Sequence, residues 1–102
     1  MNMQQIMRQA QKMQKKMEEA QEEAAKQVVE ASSGGGMVSV KVNGKNELLE
    51  ITLEKDVVNP EDIDMLQDLI VAAVNEGMKK SQQIMQDKMQ GIAGGLNIPG
   101  MF

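Results

Sequence analysis

Four cations lie close together near the start of the chain, and no acidic residue separates them. They are Arg8, Lys12, Lys15 and Lys16, and acids at positions 18, 19, 22 and 23 follow directly after them. On a helix this order places positive charge toward the positive end of the helix dipole, which opposes helix stability. Side chains of this type and spacing are suited to contact phosphate oxygens, with an affinity that depends strongly on salt. These four residues, named the basic cluster, are therefore a candidate phosphate-binding surface.

An ordinary solvated helix face is the alternative interpretation of the basic cluster. Lys15 and Lys16 each lie one helical turn before Glu19, but a Lys that precedes its Glu partner contributes only a few tenths of a kcal/mol. Arg8 and Lys12 have no acid one turn away on either side. Pairing within the helix therefore does not account for all four cations.

A second pair of cations, Lys79 and Lys80, lies in the C-terminal half of the chain. This pair is a further candidate for phosphate contacts, and a solvated face beside Glu76 is the alternative. Base-specific contacts are less favoured than contacts to the backbone of a nucleic acid. Arg8 is the only residue suited to a bidentate guanine contact, and the several Gln around it are typical of a soluble helix.

The composition excludes several classes of function. The 102 residues include no Cys and no His, so thiolate metal sites and the commonest general base are absent. We therefore predict no enzymatic activity, no cofactor, no metal site and no small-molecule substrate. The one aromatic residue, Phe102, leaves no set of rings on which single-stranded bases could stack. Because the net charge is −4, only a local basic patch can support nucleic-acid binding.

The length and hydropathy predict one small soluble domain, residues 1–102. There is no apolar run of 18 residues, and the N-terminus has no apolar signal-peptide core. We expect the protein to be cytoplasmic and to have no membrane partner.

The first predicted element is a helix over residues 1–26. Its apolar residues alternate spacings of three and four, as in a helix that packs on another helix. They are Met3, Ile6, Ala10, Met13, Met17, Ala20 and Ala24. The basic cluster lies on the opposite side of such a helix.

Two or three antiparallel strands are predicted within residues 28–54. The segment 27–33 either ends the first helix or forms a strand, and its adjacent valines favour a strand. The glycines at 34–36 are predicted to form a turn, because no Lys-Ser/Thr pair follows them as in a phosphate-binding loop.

The dipeptide Asn43-Gly44 predicts a tight two-residue hairpin turn between two of these strands. In the run MVSVKV before it, the valines alternate and are predicted to face the core. In the returning run ELLEITL, the residues on the buried face are Leu49, Ile51 and Leu53.

A second long helix is predicted over residues 60–90. Asn59 is suited to be its N-cap, and Pro60 its first helical residue. Apolar residues at helical spacing give it a broad face that can cover the sheet. The glycine-rich remainder, residues 91–102, is predicted to be a flexible tail. The elements together predict an α+β fold.

The lengths of these elements predict self-association. The first helix spans about 36 Å, whereas strands of about six residues span about 20 Å, so one sheet does not cover the whole apolar stripe. A second copy would cover it, and we predict a symmetric homodimer. Its seam is predicted at Met3, Ile6, Ala10, Met13 and Met17.

Nearly the whole chain is covered by three runs and by the first helix, which is rich in Gln, Lys and Met. The runs are MVSVKVNGKNELLEITL, PEDIDMLQDLIVAAVNEGMKKSQQ and GGLNIPG. Together they resemble the YbaB/EbfC family of bacterial nucleoid-associated proteins. The resemblance implies a homodimer whose paired helices project like the arms of tweezers and bind duplex DNA.

Two functions follow as expectations. The first is a nucleoid-associated protein that binds duplex DNA as a homodimer through phosphate contacts from the first helix, with effects on nucleoid organisation and gene expression. The second is a non-enzymatic scaffold that docks other proteins on its helical seam or on its apolar C-terminal tail.

Overall fold

The computed structural model describes the backbone of residues 2–96 and the side chains of residues 2–93. The elements in chain order are helix α1 (Met3–Lys26), strands β1 (Val28–Ser33), β2 (Val38–Asn43) and β3 (Leu48–Leu53), and helix α2 (Ile63–Leu96). One 3₁₀ turn, Gly34–Gly36, joins β1 to β2, and another, Lys55–Val57, follows β3. The predicted α+β fold, with two long helices and a small antiparallel sheet, is confirmed.

Helix α1 begins at a capped N-terminus and ends where the valine-rich strand starts. The Asn2 side chain accepts a hydrogen bond from the Gln5 backbone N–H at 2.9 Å, which satisfies one of the free donors of the first turn. Lys26 lies in the last turn, where a cation complements the helix dipole. The adjacent valines continue as β1, in agreement with the strand interpretation.

The three strands form an antiparallel sheet in the order β1-β2-β3. Val40 of β2 lies opposite Ala31 and Ile51, so these three side chains share one face of the sheet. On that face the three valines of β2 are almost completely buried, and α2 packs over them through Ala73 and its neighbours. The other face is polar, and Lys41 forms ion pairs there with acids on both neighbouring strands.

The hairpin between β2 and β3 differs from the predicted two-residue turn. Its loop has three residues, Gly44, Lys45 and Asn46, and the Asn43 N–H donates to the Glu47 carbonyl at 3.0 Å. Asn46 adopts a left-handed φ of 62°, as the last residue of a three-residue hairpin loop commonly does. The buried Asn43 side chain accepts from the N–H groups of Lys45 and Glu47 and so fixes the loop.

Strand β3 is not buried as the alternating pattern predicted. Ile51 and Leu53 do lie on the helix-facing side of the sheet, opposite Val40 and Val38, but they remain 42% and 37% exposed. The physical reason is that α2 covers β1 and β2 and leaves β3 as an uncovered edge. Leu49 lies beside a register shift in β3 and is 52% exposed.

Helix α2 starts later and ends later than predicted. Asn59 and Pro60 form a turn, and the N-cap is Asp62, whose carboxylate accepts from the Met65 N–H at 3.2 Å. At the other end the predicted tail begins as helix, because α2 continues to Leu96 alongside α1. The rest of the predicted tail, residues 97–102, lies outside the described residues.

Candidate nucleic-acid interface

The two helices run antiparallel beyond the sheet and form a projecting arm. The loop residue Gly44 contacts both Ala24 of α1 and Ile84 of α2, and further out Ala20 and Ile92 line the same groove between the helices. The molecule is accordingly elongated, 68 Å by 24 Å by 17 Å. The arm is defined as the part of α1 before Ala24 together with the part of α2 after Ile84.

The root of the arm is fixed by the hairpin loop. The Gly44 N–H donates to the Ala24 carbonyl at 2.8 Å and to the Gln27 carbonyl at 3.1 Å, which satisfies free carbonyls at the C-terminal end of α1. A β-carbon at Gly44 would lie 2.7 Å from the Ile84 side chain and 2.8 Å from the Ala24 carbonyl oxygen. Only glycine allows this approach, so Gly44 anchors α1 to the rest of the protein.

A buried hydroxyl group fixes the same loop to α2. Ser81 is fully buried, and its oxygen accepts from the Asn46 N–H at 2.8 Å. Further along the arm, the Lys88 ammonium and the Glu23 carboxylate lie 3.4 Å apart and link the two helices. The sequence interpretation missed the roles of Gly44 and Ser81. The Asn-Gly signal indicated a turn but not the helix against which the turn packs.

The basic cluster lies on the part of α1 that projects from the sheet. Its four side chains are exposed, and Arg8 and Lys16 are about 12 Å apart along the helix axis. Within the described residues, none of the four forms an ion pair. Arg8, Lys12 and Lys15 point away from the apolar side of α1, whereas Lys16 lines the groove between α1 and α2.

The charge of the protein is divided between its two ends. Residues 1–17 carry four cations and no acid, and the rest of the chain carries seven cations and fifteen acids, a net charge of −8. The unsatisfied N–H groups at the start of α1 add further positive potential to the same end. An acidic protein therefore presents a local basic surface far from most of its acids.

The structure does not bring Lys79 and Lys80 to the basic cluster. The Lys80 ammonium donates to the Glu30 carbonyl at 2.7 Å, at the free edge of β1. Because Ala24 and Ile84 lie at the same level, Lys80 and Lys16 are separated by about 18 Å along the helix axes. Lys79 is exposed on α2 and makes no ion pair within the described residues.

The apolar stripe of α1, whose outer part is the predicted seam, is buried only near the sheet. Ala20 and Ala24, closest to the sheet, are buried, and Met13 is half-buried. Met3 and Ile6, closest to the free end, are 71% and 49% exposed. The described residues leave this part largely uncovered, and its role as a dimer seam stays a prediction.

Other kinds of site find little support among the described residues. No group of three or more acidic side chains converges there in a way that would hold a metal ion. Neither helix, over its described length, is long and apolar enough to cross a membrane.

Comparison with known proteins agrees with the fold. The family model described as the YbaB/EbfC DNA-binding family matches residues 1–96. The chain is 55% identical over 101 residues to the nucleoid-associated protein YaaK of Bacillus subtilis, which covers 99% of this chain and 94% of that protein. It is 61% identical over 77 residues to a nucleoid-associated protein of Syntrophobacter fumaroxidans, which covers 76% and 70%.

A solved structure shows the same architecture. The crystal structure of an uncharacterized protein of Helicobacter pylori superposes with a TM-score of 0.76 and 26% sequence identity, over 94% of this chain and 97% of that chain. The match of the family model to nearly the whole chain, together with these relatives, shows that the protein belongs to the YbaB/EbfC DNA-binding family.

Proposed function

We propose that this protein is a nucleoid-associated protein of the bacterial cytoplasm that binds duplex DNA as a homodimer, mainly through phosphate contacts from the basic cluster. The observation that carries the proposal is the position of Arg8, Lys12, Lys15 and Lys16. They are exposed on a projecting helix, free of ion pairs within the described residues, and remote from most of the acids. Family membership supports DNA as the partner. Effects on nucleoid organisation and gene expression would follow from such binding.

The number of cations suits non-specific binding to DNA. Four cations on each of two arms give up to eight phosphate contacts, within the range of about six to ten contacts at which affinity falls about 10³- to 10⁵-fold between 50 and 200 mM salt. Sequence preference is expected to be weak, because phosphate contacts position a protein on DNA without reading its bases.

The homodimer in this proposal is supported by the uncovered side of β3. Leu69 and Lys80 of α2 contact the β1 side of the sheet, so Val71 and Met78, on the opposite flank of the helix, lie toward β3. The exposed large side chains of β3 are Leu48, Leu49, Ile51 and Leu53, and those after it include Val58, Ile63 and Val71. We infer that they form one apolar surface.

The size of this surface agrees with a dimer contact. With about 170 to 200 Å² for each fully exposed residue, the exposed fractions leave about 600 Å² of apolar area, close to the roughly 800 Å² per partner of a stable interface. The unpaired backbone of β3 also offers hydrogen bonds to a second copy. The proposed dimer therefore forms through the β3 surface, and the arms remain free to reach DNA.

The dimer contact is tested with two substitutions on β3. Ile51→Asp places a charge on the apolar face, whereas Thr52→Asp places the same charge on the polar face. Sedimentation velocity is expected to give a dimer for the parent and for Thr52→Asp, and a monomer for Ile51→Asp. A dimer that survives Ile51→Asp unchanged would exclude this surface.

DNA binding is tested by fluorescence anisotropy with a mixed-sequence duplex at about 50 mM salt, where phosphate contacts are strong. The variant with all four basic-cluster residues changed to Ala is expected to lose at least a hundredfold in affinity. Unchanged affinity would show that the basic cluster is a solvated face.

A second candidate is a non-enzymatic scaffold that docks another protein, and the exposed Met3 and Ile6 favour it. The other part of that hypothesis, an apolar tail over residues 97–102, lies outside the described residues. Salt distinguishes the two functions, because apolar docking changes little between about 50 and 200 mM salt.

A further inference from the structure

Among the described residues, the apolar side of α1 near its free end is left largely uncovered, and the proposed DNA contacts do not use it. Met3, Ile6 and Met7 are exposed at its free end, and Ala10 and half-buried Met13 continue it toward the sheet. We propose that this surface, named the arm stripe, pairs antiparallel with the arm stripe of a second dimer and so joins dimers through their arms.

When two arm stripes run antiparallel, the side chains of one are complementary in size to those of the other. In an antiparallel pair of helices, each large side chain meets a position of opposite heptad class on the partner helix. Ile6 then lies opposite Ala10 of the second copy, and Met3 lies opposite Met13. Each Ile is matched by a small Ala, and each Met by a flexible Met, so the side chains of two identical arms are complementary in size.

The residues that flank the arm stripe do not oppose this pairing. The flanking positions along the seam are Asn2, Met7, Gln9 and Gln14, which are uncharged, and Lys16, which lies near Asn2 of the second copy. Arg8, Lys12 and Lys15 lie on the outer side of each helix, away from the seam. The antiparallel arrangement therefore brings no two cations face to face, although the arms as a whole repel each other at low salt.

The exposed area of the arm stripe is small, so the proposed contact between dimers is weak. With about 180 to 200 Å² for a fully exposed Met or Ile, Met3, Ile6 and Met7 offer about 330 Å² per arm, less than half of the roughly 800 Å² per partner of a stable interface. The pairing is expected to form at high protein concentration, or when dimers are held close together. The seam of about two heptads is too short to hold two copies together in dilute solution.

The pairing joins dimers and so rests on the proposed homodimer, whereas its consequence for DNA rests in addition on the proposed phosphate contacts. Two paired arms carry their basic clusters on opposite outer sides. If the basic cluster binds phosphate, each pair of arms holds two duplexes, and joined dimers bridge DNA.

The pairing is tested without DNA by sedimentation velocity and light scattering, from about 10 µM to 1 mM protein, at about 0.1 M and 1 M salt, where the screening length falls from about 10 to 3 Å. Parent protein is expected to form species larger than a dimer at high concentration, and more of them at 1 M salt because the arms no longer repel. Ala10→Glu is expected to weaken this association at least tenfold. Gln11→Glu changes the charge equally on the outer side and is expected to change the association less than threefold.

A cross-linking experiment captures even weak pairing, because the chain has no native Cys. Protein carrying Ile6→Cys is mixed with protein carrying Ala10→Cys and mildly oxidised. The expected result is a mixed disulfide that joins separate dimers and forms faster than the link between Gln5→Cys and Gln11→Cys, which lie off the seam. Equal rates for both pairs, linked species that remain the size of one dimer, or a response to Gln11→Glu equal to that of Ala10→Glu would each overturn the proposal. Loss of DNA binding in the basic-cluster variant would leave it standing.

Discussion

Substitution of Gly44 by Ala tests the anchor of the arm. The backbone of Gly44 is not in the left-handed region, so Ala has no conformational penalty there. Its β-carbon, however, would lie within 3 Å of three atoms: one in the Ile84 side chain, the Ala24 carbonyl oxygen and the Ala24 β-carbon. Because one of these atoms belongs to the backbone of α1, the helix and the loop must separate.

The expected loss of stability is the sum of two opposing effects. Overpacking costs about 1–3 kcal/mol, and lengthening the 2.8 Å hydrogen bond to Ala24 costs about 1 kcal/mol more. The lower conformational entropy of the unfolded Ala variant offsets about 0.4–1 kcal/mol of this loss of stability. The free energy of unfolding should therefore fall by about 1–3 kcal/mol.

Gly91→Ala is the matched control, because nothing lies within 4 Å of the added carbon in the helix. It should raise the free energy of unfolding by about 0.5–1 kcal/mol. The assay is urea unfolding followed by circular dichroism at one fixed protein concentration, since dimerisation contributes to the measured stability. If Gly44→Ala and Gly91→Ala have the same stability within about 0.5 kcal/mol, the anchor does not exist.

Three further predictions concern α2 and its contacts. Ser81→Ala should lower the free energy of unfolding by about 0.5–1.5 kcal/mol in urea, because the Asn46 N–H loses its 2.8 Å bond to the buried hydroxyl and keeps only the 3.3 Å bond to the Asn43 carbonyl, and no measurable loss would contradict this. Asn46→Gly should raise it by a few tenths of a kcal/mol in the same assay, because glycine adopts the left-handed φ of 62° without strain, whereas a clear destabilisation would contradict that role. Lys79→Ala with Lys80→Ala should reduce duplex affinity in anisotropy by less than tenfold, since this pair lies about 18 Å from Lys16, and a larger loss would place a main DNA contact on α2.

The parts of the fold that were predicted correctly follow from local pattern. The heptad spacing of α1, the adjacent valines of β1 and the alternating valines of β2 each specify their element without reference to the rest of the chain. The errors in the predicted secondary structure occur where contacts with distant segments determine the local conformation. Asn43-Gly44 favours a two-residue turn locally, but the loop instead places Gly44 against Ala24 and Ile84.

Burial was predicted less well than secondary structure. The alternation in β3 correctly placed Ile51 and Leu53 on the helix-facing side, but a pattern does not tell whether the covering element belongs to the same chain. Asp62 replaced Asn59 as N-cap because the residues between them close a turn first.

The candidate site was predicted in part. Helical spacing alone places Arg8 and Lys12 opposite the apolar stripe, and the structure has them exposed. Helical spacing does not show that the Lys80 ammonium donates to the Glu30 carbonyl, because that contact joins residues 50 positions apart. Likewise, the apolar stripe of α1 does not show how far α2 runs beside it, and so does not show where α1 begins to project.

The most direct test of the account is the salt dependence of duplex binding for two variants of equal charge. The first changes Arg8, Lys12 and Lys15 to Ala, and the second changes Lys26, Lys45 and Lys55, so that both have a net charge of −7. If a dimer makes eight contacts through the basic cluster, the slope of log K against log salt is about −7 for the parent and about −2 for the first variant, with the second within about one unit of the parent. Equal slopes for the two variants would show that overall charge, and not the basic cluster, determines DNA binding.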